Sequence, residues 1–173
     1  MSNEFIEWPK TTRLYSPVCI SEKIDGTCST FVYDDLTDTF FCQSRKKVIT
    51  PKDDNAGFAA WAYKNADMLK EELGPGYHYG EWWGQGIQRK YSMTEKRFSL
   101  FNTRRWAGWE FKTPQLYTVP VLYSGEFTDS CVQEACQQLK TTGSLASPGF
   151  MNVEGVCVFW EHNNMVLKVP FGK

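Results

Sequence analysis

The chain has 173 residues, 42% of them hydrophobic and 23% charged, which suits one domain with a sizeable core and is short for two. A formal net charge of −1 excludes a protein that grips nucleic acid through its overall field, so any such contact has to use a local basic surface. No apolar run approaches the roughly 20 residues a membrane span needs, and Met1 to Lys10 lacks the apolar centre of a secretion signal.

Residues 1–17 read as an irregular lead-in limited by Pro9 and Pro17. Val18 to Glu22 reads as a short strand, ended by the Asp25-Gly26 turn signal. Thr27 to Tyr33 and Thr39 to Gln43 are rich in β-formers, and Asp34 to Asp38 between them reads as a hairpin connection. Asn55 to Leu73 carries a helical pattern, with Phe58, Trp61, Ala62, Met68 and Leu69 as apolar positions. Asp54 or Asn55 can cap it, and Gly74-Pro75-Gly76 stops it. Tyr77 to Trp83 is a strand broken by Gly84-Gln85-Gly86, and Arg89 to Arg97 is basic, polar and expected to be exposed. Trp106 to Phe111 and Tyr117 to Tyr123 are further strand candidates. A helix is expected over Cys131 to Lys140, with Ser130 as cap, Gln133 at the capping-box position, and Val132, Ala135, Cys136 and Leu139 on one face. Thr141 to Gly149 is a loop, and Val153 to Trp160 and Met165 to Val169 are strands joined by a turn at Glu161 to Asn164. The pattern is that of a mixed α+β domain with several antiparallel strands and few helices.

The six cysteines include no CxxC pair and there are only two histidines, so reduced thiols in a cytoplasmic protein are a simpler reading than a zinc site. Cys28, Cys42 and Cys157 sit in apolar strands and read as buried thiols. His78 and His162 are isolated, and Trp82 and Trp83 read as core.

Four short segments place charge against strands and glycines: Lys23-Ile24-Asp25-Gly26, Gly80-Glu81, Glu154-Gly155-Val156 and Leu167-Lys168-Val169. Any one alone is most simply a residue alternating to a solvent face. Together, in this order, they resemble the covalent nucleotidyltransferase superfamily of polynucleotide ligases and RNA capping enzymes. The likeness is greatest to ATP-dependent RNA ligases of the double-strand-sealing phage type. Ser21 to Thr27 is similar to their lysine-nucleophile motif, preceding glutamate Glu22 included. Gln43-Ser44-Arg45 resembles the motif whose arginine contacts the nucleotide or the end being joined. Gly80 to Gln88 resembles the Gly-Glu strand, and Phe98 to Phe101 the aromatic motif that stacks on the base. Phe101 and Phe98 compete for that last role.

The resemblance implies an ATP-grasp-like nucleotidyltransferase domain, mostly antiparallel sheets with a few helices around a nucleotide cleft. It implies that Lys23 attacks ATP and holds AMP, with Glu22, Arg45, Glu81, Phe101, Glu154 and Lys168 around the nucleotide. A lysine amine becomes a nucleophile when burial or cationic neighbours lower its pKa. Lys168, Arg45 and Mg²⁺ would offset charge developing on phosphoryl oxygens. Glu154 is the implied Mg²⁺ ligand, directly or through water, because Mg²⁺ prefers oxygen and retains several waters. Glu81 could hold the ribose hydroxyls. Asp25 either orients Lys23 or helps hold the metal. The implied partners are RNA or DNA ends bearing 5′-phosphate and 3′-hydroxyl, with no membrane.

Two departures from the family pattern stand out. The final motif usually carries a second lysine two positions after the first, and here that position is Pro170, with Lys173 the nearest replacement. The 173 residues read as a single minimal nucleotidyltransferase domain with no C-terminal accessory domain. Sealing would then use an accessory protein or basic side chains as phosphate contacts, with Arg13, Lys46, Lys47, Lys52, Arg89, Lys90, Lys96, Arg97, Arg104 and Arg105 as candidates. A capping-type guanylyltransferase and a non-catalytic nucleotide or nucleic-acid binding module are the alternative readings.

Overall fold

The computed structural model describes residues 3–172. The strands form two sheets, and helices cover one face of each. The elements in chain order begin with β1 (Pro17–Lys23), β2 (Thr27–Asp34), β3 (Thr39–Ser44) and β4 (Val48–Ile49). There follow α1 (Phe58–Lys64), α2 (Ala66–Leu73), β5 (Gly76–Gly84), β6 (Lys96–Leu100), α3 (Thr103–Trp106), β7 (Leu116–Thr118) and β8 (Val121–Glu126). The chain ends with α4 (Cys131–Thr142), β9 (Gly155–Trp160) and β10 (Met165–Pro170). The four-stranded sheet has the order β10-β9-β1-β8 and the six-stranded sheet β4-β3-β2-β5-β6-β7. All pairings are antiparallel except β6 with β7. The expected mixed α+β class therefore holds. No helix among the described residues is long and apolar enough to cross a membrane.

Each sheet has its own core. On the six-stranded sheet, Phe31, Cys42, Trp82, Phe98 and Leu100 pack against Phe58, Trp61, Ala62, Leu69 and Leu73 of α1 and α2. On the four-stranded sheet, Val18, Ile20, Val156 and Val158 pack against Cys131, Ala135, Cys136 and Leu139, which form one stripe of α4. A third cluster of Ile24, Trp83, Tyr91 and Val119 joins the two halves where β1 ends.

Four expectations change. The helix read over Asn55 to Leu73 is two helices, because Asn65 leaves helical geometry (φ −107°, ψ 17°) and its side-chain amide donates to the Trp61 carbonyl. In the second helix Met68 is exposed instead of sharing the buried apolar face. Asp54 does act at the start, accepting from the backbone N–H groups of Ala59 and Ala60. Trp106 to Phe111 is not a strand: the Asn102 side chain accepts from the Arg105 N–H and starts the single turn of α3. Tyr117 to Tyr123 is interrupted at Val119-Pro120, where proline offers no N–H, and the chain passes from one sheet to the other. Ser130 makes no side-chain cap; its carbonyl accepts from Glu134 instead.

Candidate active site

Lys23 is the last residue of β1, an interior strand flanked by β8 and β9. Strand alternation sends Lys23 and Ser21 to the face opposite α4 and sends Glu22 the other way. The Lys23 Nζ donates to Glu154 Oε1 at 2.5 Å, with both side chains largely covered. The other oxygen, Glu154 Oε2, is buried without a hydrogen-bond partner. Lys168 pairs across β9 with Cys157, which pairs with Ser21, so the register carries Lys168 to the Lys23 face. Pro170 and Lys23 both pair with Gly155, one on each side, so Pro170 occupies the same row as the nucleophile candidate. Gly155 is required there: its φ is +154°, and a Cβ would press on the Val169 carbonyl and lie 2.9 Å from Pro170 Cα. Lys173 lies outside the described residues.

The six-stranded sheet supplies the facing wall. Glu81 on β5 is buried opposite Cys28 of β2. Its Oε1 accepts from the Gly26 N–H at 3.2 Å, and Oε2 lies 3.9 Å from the Cys28 thiol. Burial pushes the Glu81 carboxyl up to about 7, against the Lys23 charge and the Gly26 N–H, which lower it; Glu154 and Asp25 raise it further. Gly26 makes this approach possible, since a Cβ would collide with the Trp82 carbonyl and sit 2.7 Å from Trp83 Cβ. Arg45 is exposed and reaches in, its Nη2 3.5 Å from Cys28 Sγ. Phe98 is fully buried among Phe58 and Trp61, which removes it as a base platform. Phe101 is 43% exposed and remains available.

Cys42 is a buried core thiol, but Cys28 and Cys157 are only half buried and lie inside the site. Burial raises the Cys157 thiol; Lys23 and Lys168 pull it down while Glu81 and Glu154 push it up.

Glu22 is placed differently from a nucleotide contact. Its side chain is buried, Oε2 accepting from the Ser144 hydroxyl at 2.7 Å and Oε1 from the N–H groups of Leu145 (2.7 Å) and Ala146 (3.2 Å). Burial raises its pKa and those three bonds oppose the rise. The carboxylate thus pins the 144–147 loop, and direct contact with a nucleotide does not fit this position. The network continues. Ser147 donates to the Tyr91 carbonyl at 2.8 Å, and the Tyr91 hydroxyl accepts from the Asp25 N–H at 2.7 Å. Asp25 is also ion-paired with Arg89 at 3.4 Å. The turn that follows Lys23 is therefore held by Arg89 and Tyr91, from a segment expected to be merely exposed and basic. Tyr91 is fully buried, in a left-handed run of positive φ at Lys90, Tyr91 and Ser92. Sequence pattern had no signal for Tyr91, Ser144 or Ser147: a tyrosine among polar residues and serines in a Gly/Pro loop look alike whether buried or not.

Several expected phosphate contacts are already engaged. Lys47 pairs with Asp53, and Arg89 with Asp25. Arg13, Lys46, Lys52 and Lys90 are exposed. Among the described residues no group of three or more His, Cys, Asp and Glu side chains is arranged to hold a metal. The orphaned Glu154 Oε2 nevertheless fits a hard cation that takes one carboxylate and keeps its waters.

An RNA ligase family model matches residues 16–169. No curated protein matches the chain in sequence. Among solved structures, a mutant RNA ligase of Naegleria gruberi with ATP and Mn is similar at a TM-score of 0.65 and 18% identity, over 92% of this chain and 51% of that one. A second mutant of that ligase, with AMP and Mn, is similar at 0.60 and 19%, over 91% of this chain and 50% of that one. The chain spans about half the length of these structures. The match over residues 16–169 takes in Lys23, Asp25, Arg45, Glu81, Glu154 and Lys168, and the chain belongs to the RNA ligase family.

Proposed function

We propose that the chain is an ATP-dependent RNA ligase that carries AMP covalently on Lys23 and joins a 5′-phosphate end to a 3′-hydroxyl end. In this reading the two sheets form an ATP-grasp-like nucleotidyltransferase domain. The observation that carries it is the convergence on the Lys23 amine of groups distant in sequence: Glu154 at 2.5 Å, Lys168 on the same face, and Glu81 on the facing wall.

The chemistry follows from the placement. Lys23 has to lose a proton before it can attack, and Glu154 Oε1 is an acceptor already in contact. The neutral amine attacks the α-phosphorus of ATP. A P–N bond forms, the P–O bond to pyrophosphate breaks, and AMP stays on Lys23. Lys168 and Arg45 bring positive charge toward the phosphate oxygens. Glu154 Oε2 would hold Mg²⁺, which when bound supplies further charge at those oxygens. In this reading buried Glu81 takes the ribose hydroxyls and exposed Phe101 the base. Asp25, held by Arg89 and Tyr91, orients the turn that carries Lys23. An RNA 5′-phosphate oxygen then attacks the AMP phosphorus and the P–N bond breaks. Finally a 3′-hydroxyl attacks the activated end, forming the phosphodiester and releasing AMP.

The test is to mix the protein with ATP labelled at the α-phosphate and Mg²⁺, then denature. Label that survives denaturation and vanishes in Lys23→Ala is the expected result. A protein that binds ATP reversibly but retains no label refutes the covalent reading and leaves a binding module. Labelling by GTP in place of ATP would instead identify a capping-type guanylyltransferase.

A further inference from the structure

We propose that the open half of the cleft face of the six-stranded sheet binds an unpaired RNA strand by stacking bases on Tyr79 and Tyr77. This deepens the ligase reading by naming where one end of the substrate lies. On β5 the even residues Gly80 and Trp82 face α1 and the core. The odd residues Tyr77, Tyr79 and Glu81 therefore share the other face with the site. Glu81 is buried beside Gly26, whereas Tyr79 and Tyr77 are 51% and 57% exposed. Their rings lie 6.1 Å apart and within 20° of parallel. Phe41 of β3 meets Tyr77 edge-on at 6.3 Å and braces it. Beneath them Thr30 and Val32 are buried, paired with Tyr79 and Tyr77 in the sheet.

Exposed tyrosines in a row have a purely structural use, covering the residues below. Two features point beyond it. The row is continuous with the candidate active site along a single strand, Glu81 to Tyr79 to Tyr77. Charge is graded along it. Exposed Arg45, adjoined by Lys46, stands at the Cys28 end beside Glu81, and exposed Asp34 and Asp35 stand at the far end of β2. A phosphate backbone is attracted to the first end and repelled from the second, while aromatic faces accept any base. A protein partner would need no such gradient running into a nucleotide site. A paired duplex has its bases stacked internally and cannot use the rings.

The measurement is fluorescence anisotropy of a labelled short single-stranded RNA, without ATP, against the same RNA as a blunt duplex. Tyr79→Leu and Tyr77→Leu, which keep apolar cover over Thr30 and Val32, are each expected to weaken single-strand binding about ten-fold. Tyr79→Phe is expected to stay within about two-fold, and duplex binding to stay unchanged. Leucine variants that bind single strands as tightly as the parent overturn the proposal, as does an equal loss for duplex. The unsubstituted protein gives a second readout that no folding defect can blur. Single-stranded RNA should protect Tyr77 and Tyr79 from nitration by tetranitromethane, and undiminished nitration at saturating RNA overturns the proposal. Lys23 labelling by ATP, read in parallel without RNA, should be the same in the Tyr77→Leu protein as in the parent. Tyrosine-dependent RNA binding in a protein that never labels would sink the ligase reading and leave this one standing.

Discussion

Replacing Glu81 with glutamine should change how stability depends on pH, and the sign can be worked out. In the unfolded chain the carboxyl titrates near 4.5; in the folded protein burial holds it at about 7. Below the lower value it is protonated in both states and costs folding nothing. As pH rises toward the upper value, the unfolded state ionises freely while the folded state is penalised for keeping or exposing the charge in its buried site. Stability from this group is therefore fully present below about 4.5 and lost as pH rises through about 7. Each pKa unit corresponds to about 1.4 kcal/mol, so the loss amounts to roughly 3 kcal/mol by pH 8. Glu81→Gln removes the titration and keeps the size. Urea unfolding of both proteins at pH 4.5 and pH 8 singles out Glu81 and the charges coupled to it, because titrations elsewhere in the chain cancel in the comparison. The variant should gain about 3 kcal/mol on the parent between the two pH values. An unchanged difference would mean that Glu81 ionises like a solvated carboxylate and that the Gly26 and Lys23 contacts fully offset its burial.

Tyr91→Phe removes the acceptor for the Asp25 N–H, and a group left unpaired in this way costs about 1–3 kcal/mol. Urea unfolding should show that loss, and Lys23 labelling should slow with little change in the ATP concentration giving half-maximal rate. Gly26→Ala should destabilise the protein by at least about 2 kcal/mol, since the added methyl meets the Trp82 carbonyl; a thermal midpoint equal to the parent's would contradict the packing. Arg45→Ala should shift stability by less than about 0.5 kcal/mol, because the side chain is exposed, while reducing the labelling rate. Loss of stability without loss of rate would make Arg45 structural.

Sequence by itself determined the parts of this protein that depend on local pattern. Alternating β-formers placed β1, β2, β3 and β5 within a residue or two, and the stripe of Ala135, Cys136 and Leu139 placed α4. Resemblance to the ligase motifs marked Lys23, Asp25, Arg45, Glu81, Glu154 and Lys168 as candidates, because short motifs in a fixed order are visible in one dimension. Tertiary structure alone decided which of these meet. Glu22 and Lys23 are neighbours in the chain, yet strand alternation sends one to lock the Ser144 loop and the other to Glu154. Asn65 split a helix that periodicity ran through, since a single side-chain amide competing for a backbone carbonyl leaves no mark on the apolar pattern. Tyr91 and Ser147 became the support of the nucleophile turn through hydrogen bonds between distant segments. The same holds for Lys23: its position at the end of β1 was written in the sequence, but its 2.5 Å contact with Glu154 exists only because β9 folds back beside β1. Hydrogen-bond partners and burial are properties of three-dimensional packing, and the pattern of residue types along a chain does not encode them.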